Sequence, residues 1–144
     1  MTSHMVTGLG GVSASLAVRK DDLYESPPEA VRALLGVEDV PQVVWEPAAG
    51  PGAIVRVLRD SGRQVIATDL VDYGLVDSSA RRDFLMETKA PKGVHATVTN
   101  PPFKLAQQFV EKSRELVPAT YMLMRLAFLE SERRREILED GHLA

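Results

Sequence analysis

The chain is predicted to fold as one α/β domain built on a doubly wound, mainly parallel sheet of about five strands. Three observations point there. Short β-branched apolar runs alternate with amphipathic helical stretches along most of the sequence. The first of these runs turns through a glycine-bearing bend directly into a helix. The side chains that carry chemistry, Glu46, Asp69, Asp83 and Asn100, each end or follow a predicted strand. Right-handed crossovers would bring all four to one edge of the sheet, the edge at which such sheets bind ligands.

The 144 residues suffice for one domain with a real core, and an apolar content of 44 % is ordinary for a globular chain. A net charge of −3 gives no chain-wide attraction to a polyanion, so binding to nucleic acid would need a local basic patch. The absence of cysteine excludes disulfides, thiolate nucleophiles and cysteine metal sites. His4, His95 and His142 are scattered without metal-ligand spacing and read as tag, surface or packing residues. No run of about eighteen apolar residues is present, so no membrane span is expected. The stretch Val6 to Val18 is interrupted by Gly8, Gly10, Gly11 and Ser13 and lacks a basic leader, which argues against a signal peptide. A cytoplasmic location is the expectation. Thr2 to Met5 reads as a cloning remnant, which would make Met5 the native start.

Residues 1–19 are Gly/Ser-rich and aperiodic, a flexible arm before a core domain spanning 20–144. Ser26 and Glu29 have the spacing of a capping box, with Pro27 at the first helical position. Ala30, Val31, Leu34 and Leu35 continue at helical spacing, and Gly36 fits the stop. Gln42 to Pro47 reads as a short buried strand, followed by the bend Ala48-Ala49-Gly50-Pro51-Gly52 and a helix over Ala53 to Arg59 closed by Gly62. Gly50 and Gly52 permit close backbone approach to a ligand, and the alanines leave room. The spacing matches neither the full dinucleotide fingerprint nor a P-loop. A carboxylate at the strand end disfavours phosphate and suits a cationic amino acid.

Gln64 to Asp69 is a second strand ending in a carboxylate. Asp69 follows Gly52 at close to the roughly twenty residues expected of an acid that accepts from ribose hydroxyls, although a lone Asp there also serves as a turn former. Residues Val71 to Arg82 are polar and irregular, and Asp83-Phe84-Leu85 follows. His95 to Thr99 is the next strand; it stops at Asn100-Pro101-Pro102-Phe103, because two prolines cannot donate backbone hydrogen bonds. They also hold Asn100 extended and stiffen the corner. Asn100 offers an amide acceptor, Pro101 a carbonyl, and Phe103 a flat apolar face, a combination suited to gripping a planar group through its NH2. A helix carrying Gln107, Phe109, Val110, Glu111 and Leu116 is broken before Pro118, and Ala119 to Leu126 is an apolar strand whose methionines are core filler. Leu129 to Leu138 reads as a helix with Glu130–Arg134 and Arg135–Glu139 pairs. Arg133 to Arg135 read as a solvated face.

Asn100-Pro101-Pro102-Phe103 resembles the target-amine motif of class I S-adenosylmethionine-dependent amino-group methyltransferases, including the DNA adenine-N6 enzymes. Glu46-Pro47-Ala48-Ala49-Gly50-Pro51-Gly52 resembles motif I of that family, with Glu in place of the usual Asp. The resemblance spans residues 23 to 128 and implies a Rossmann-like fold and S-adenosyl-L-methionine as cofactor. It implies that Tyr24 and Pro27, in an aromatic–Ser–Pro motif, touch the methionine end of the cofactor. Glu46, Pro47, Ala48, Gly50 and Gly52 would cradle it, and Asp69, with Leu70 beside it, would take the ribose. Asp83 would meet the adenine amine and Phe84 line the ring pocket. Asn100 would border the cofactor while it and the Pro101 carbonyl accept from the target amine; Pro102 completes the corner and Phe103 stacks on a flipped base. Catalysis would rest on in-line positioning.

The expected substrate is adenine N6 in DNA. The alternatives are an RNA base, a protein glutamine, or a role as a cofactor-binding but inactive partner subunit; a nicotinamide-dependent enzyme is a weaker option. The family core has seven strands, the last two an edge hairpin. The sequence lacks that hairpin and a target-recognition segment, so the expectation is an incomplete core whose exposed edge invites a homodimer.

Overall fold

A computed structural model describes residues 25–71, 73–74 and 81–124. Four short strands form one all-parallel sheet: β1 (Val43–Glu46), β2 (Gln64–Ala67), β3 (Ala96–Thr99) and β4 (Ala119–Met122), in the spatial order β2-β1-β3-β4. The chain therefore winds outward from β1 to β2, returns across the sheet, and winds outward again from β3 to β4. β1 and β2 pair through four residues from Val43↔Gln64 to Glu46↔Ala67, and β3 and β4 through four from Ala96↔Ala119 to Thr99↔Met122. At the centre, β1 meets β3 through Trp45↔Thr97. The expected α/β class and parallel sheet are present. Four strands are formed among the described residues, against about five expected.

Helices cover both faces because the strands are apolar on both. On one face, α1 (Pro28–Val37) and α2 (Ala53–Asp60) bury Val31, Leu34, Ile54 and Leu58 against Val44, Val65, Ala96 and Val98. On the other, α3 (Ala106–Leu116) and the 3-10 turn Phe84–Met86 bury Phe109, Phe84 and Leu85 around Trp45. Thr97 and Thr120, opposite each other across β3 and β4, share this second face with Ser113 of α3, whose hydroxyl bonds to both, at 2.7 Å in the case of Thr120. All three are buried.

Three local expectations are corrected. Helix α1 begins at Pro28, with Pro27 as its N-cap at φ −62°, ψ 142° and no side-chain cap bond. Pro28 forces the residue before it out of the helical region, so Pro27 cannot be the first helical residue and the Ser26–Glu29 box does not form. Gly36 does not stop the helix; α1 runs through Val37, and Glu38 closes it with its N–H on the Leu34 carbonyl at 2.9 Å. Asp83 does not follow a strand. A lone parallel bridge, Asp69↔Arg81, precedes it, and its own carboxylate accepts from the Leu85 N–H at 3.1 Å, which favours the 3-10 turn over a ladder. The expected arm over 1–19, Tyr24, and the helix over 129–138 with its ion pairs lie outside the described residues. Among the described residues no helix is long and apolar enough to cross a membrane.

Candidate functional site

The tips of β1, β2 and β3 lie on one sheet edge because the strands are parallel. β1 and β3 are neighbours that lead the chain in opposite directions across the sheet, so the crevice between their ends is the switch point at which such sheets bind ligands. The Trp45↔Thr97 register puts Asn100 two residues beyond the level of Glu46. At about 3.3 Å per residue that is roughly 7 Å further along the strand direction, level with the start of the glycine bend. Asn100 and the bend are thus on the same rim.

The bend is stitched to the tip of β2 by backbone and carboxylate. The Thr68 N–H donates to the Glu46 carbonyl and the Ala49 N–H to the Thr68 carbonyl, both at 3.0 Å. Asp69 is buried, and its two oxygens accept from Gly50 N–H at 2.7 Å and Val71 N–H at 3.0 Å. Glu46 is also buried and folds back onto its own loop, with Oε1 accepting from Ala48 N–H at 2.9 Å. Gly50 at φ 56° and Gly52 at φ 102° make the reversal, and the Gly52 carbonyl takes the first bond of α2 from the Arg56 N–H. The two carboxylates singled out in the sequence therefore shape the bend.

Beside the bend is a narrow, solvent-open cleft lined by Pro47 and Ala48, by Asp69 and Leu70, by Arg82, Asp83 and Phe84, and by Leu105 and Phe109. Six of the residues expected around a cofactor thus meet there: Pro47, Ala48, Asp69, Leu70, Asp83 and Phe84. Phe84 stands edge-on to Trp45 at 5.1 Å and tilted against Phe109 at 5.0 Å, so it belongs to the core as well as the cleft wall. Glu46, Gly52 and the corner Asn100-Pro101-Pro102-Phe103 stand outside the lining, on the same rim. Gly50 is joined to the cleft through Asp69. Pro101 and Pro102 are buried, Asn100 and Phe103 half-buried, and Phe103 opens the 3-10 turn that leads into α3. Pro27 is exposed at the start of α1; Glu25, two residues before it, reaches Arg56 at 4.0 Å, and Arg56 donates to the Pro51 carbonyl at 2.9 Å, so this segment borders the bend.

Sequence reasoning missed Arg82, Leu105 and Phe109 as cleft residues. Phe109 was visible only as an apolar helix position. Arg82 is held by Glu87 in a two-point fork, Nε to Oε2 at 2.8 Å and Nη2 to Oε1 at 2.7 Å, with its guanidinium carbon 5.9 Å from the Trp45 ring centre. That hydrogen bond raises the Arg82 pKa above its ordinary value against the opposing effect of burial, so the group is charged at all working pH. No group of three or more His, Cys, Asp or Glu able to hold a metal occurs among the described residues.

In chemical terms the cleft pairs acceptor-only carboxylates with aromatic and aliphatic walls. Such a set fits a planar heterocycle bearing N–H donors and a sugar bearing hydroxyls. Compared with known proteins, the chain matches no family model, no curated protein and no solved structure.

Proposed function

We propose that this chain is an S-adenosylmethionine-dependent methyltransferase that modifies an exocyclic amine, with adenine N6 in DNA as the first substrate to test. One observation carries the reading: Pro47 and Ala48, Asp69 and Leu70, and Asp83 and Phe84, three separate segments singled out in the sequence, line a single cleft on the rim that also bears Asn100. The lining suits the cofactor's adenosine: Asp69 to accept from ribose hydroxyls, Asp83 to accept from the base amine, Phe84 and Phe109 for the ring faces. When bound, the cofactor supplies an electrophilic methyl group.

The residues of the chain hold and orient. Asn100 Oδ1 and the Pro101 carbonyl accept from the two N–H bonds of the target amine, which leaves its lone pair directed along the sheet edge toward the bend. The prolines fix that corner, so little conformational entropy is lost on engagement. Phe103 covers the face of the target ring. Rate acceleration comes from alignment of donor and acceptor, with no side chain required to form a covalent bond to substrate.

The test is calorimetric titration with S-adenosylmethionine, followed by radiolabelled methyl transfer to DNA, RNA and protein pools. Label in DNA adenine is the expected result; label in RNA or protein glutamine keeps the chemistry and changes the substrate. Asn100→Ala is expected still to bind cofactor and to lose at least about a hundredfold in turnover, the scale on which loss of one positioned polar group acts. Full turnover in that variant would overturn the role given to Asn100. Cofactor binding with no transfer to any pool would assign the chain as an inactive partner subunit.

A further inference from the structure

We propose that the Arg82–Glu87 clasp is a positioning device that sets which base edge the cleft accepts, by fixing Asp83 with its carboxylate at the cleft wall. The proposal rests on the adenosine reading of the cleft and deepens it.

The clasp closes a loop of six residues at both ends. Arg82 is anchored through its backbone N–H to the Asp69 carbonyl at 2.9 Å, and through its side chain to Glu87. Glu87 is tied inward by its N–H to the Phe84 carbonyl at 3.1 Å, and to α3 by Lys112 Nζ on its own carbonyl at 2.9 Å. Asp83 lies inside this closed loop, immediately after one anchor. Its backbone carbonyl accepts from Met86 N–H and its Oδ1 from Leu85 N–H, so the turn and the carboxylate orientation are locked together. The fork is only partly exposed, with side chains at 36 % and 17 %, and lies over the Trp45 ring, so water competes for it less than for an open surface pair.

Chemistry turns that rigidity into selectivity. An ionised carboxylate only accepts, so Asp83 gains a bond from a ring amine and is repelled by a carbonyl at the same position. Discrimination of this kind survives only if the carboxylate cannot swing aside. Removing either half of the clasp loosens the loop around the turn that holds Asp83, so its carboxylate shifts more readily toward either edge.

The experiment compares the binding of S-adenosylhomocysteine with that of its deaminated counterpart, in which a carbonyl replaces the adenine amine. The wild-type chain is expected to prefer the amine by about tenfold or more. R82Q and E87Q are each expected to bring that ratio to about threefold or less, and the double variant no lower, as expected for two halves of one device. Arg82→Lys keeps charge and stem without the fork and is expected to fall between. A substitution that merely loosened the fold would weaken both ligands equally and leave the ratio unchanged. An unchanged ratio in folded R82Q or E87Q, or in Arg82→Lys should the other two fail to fold, would overturn the clasp while leaving the cofactor reading intact. A wild-type chain that bound neither ligand would overturn both.

Discussion

Ser113 offers a sharp test of how the helix that carries Phe109 is fixed to the sheet. Its hydroxyl is the shared partner of Thr97 on β3 and Thr120 on β4, and all three side chains are buried. Ser113→Ala removes the shared member and leaves two threonine hydroxyls without it in a dry interior. Each stranded hydroxyl costs about 1–3 kcal/mol, so the variant should lose about 2–6 kcal/mol, a large part of the stability of a domain this size. Replacing all three groups reverses the expectation. Thr97→Val and Thr120→Val keep shape and strand preference, and with Ser113→Ala no stranded polar atom remains. The triple variant should lie within about 1 kcal/mol of the parent. Urea unfolding followed by far-UV dichroism measures both, with an unchanged slope certifying that the midpoint reports stability. A single substitution costing less than about 0.5 kcal/mol, or a triple variant as unstable as the summed singles, would refute the reasoning.

Gly52→Ala should destabilise by about 1–2 kcal/mol, because a side chain at φ 102° is strained; Gly50→Asn, at φ 56° where Asn is tolerated, should cost clearly less in the same unfolding assay. Phe84→Ala should cost about 3–5 kcal/mol and shift the emission of Trp45, the only tryptophan, which Phe84 meets edge-on. The Tyr121 phenol is pushed above its ordinary pKa of 10.0, first by burial and then by the nearby Glu38 and Asp39 carboxylates. Folding favours its neutral form. That contribution is whole below pH 10 and is lost as pH rises through the higher folded value, so Tyr121→Phe should flatten the alkaline fall in stability measured by thermal melts.

The first half of the sheet was legible because its signals are local. A β-branched run, a glycine bend and a 3.6-residue apolar period specify β1, α2 and β2 without reference to anything distant. The corner at Asn100 was legible for the same reason, since two prolines act on their immediate neighbours. The start of α1 was misplaced by one residue: the Ser–Pro–Pro–Glu spacing satisfies a capping box, yet Pro28 restricts Pro27 and overrides it. Gly36 looked like a stop, but α1 continues through Val37, and a glycine within a helix costs only about 1 kcal/mol. Arg82 and Ser113 could not be read at all. Their meaning comes from partners fixed by the fold, Trp45 for one and both Thr97 and Thr120 for the other. Lys112 likewise finds the Glu87 carbonyl only once α3 has packed.

The register pair between β1 and β3 has a bearing on how the rim would take a ligand. Each flank is zipped over four pairs, whereas the midline holds at Trp45 and Thr97. The flank with β1 and β2 carries the glycine bend and Asp69; the flank with β3 and β4 carries Asn100. The seam between β1 and β3 is where the two flanks meet, and a guest touching both would act as a splint. Slower amide exchange along that midline, with little change on either flank, would be its signature.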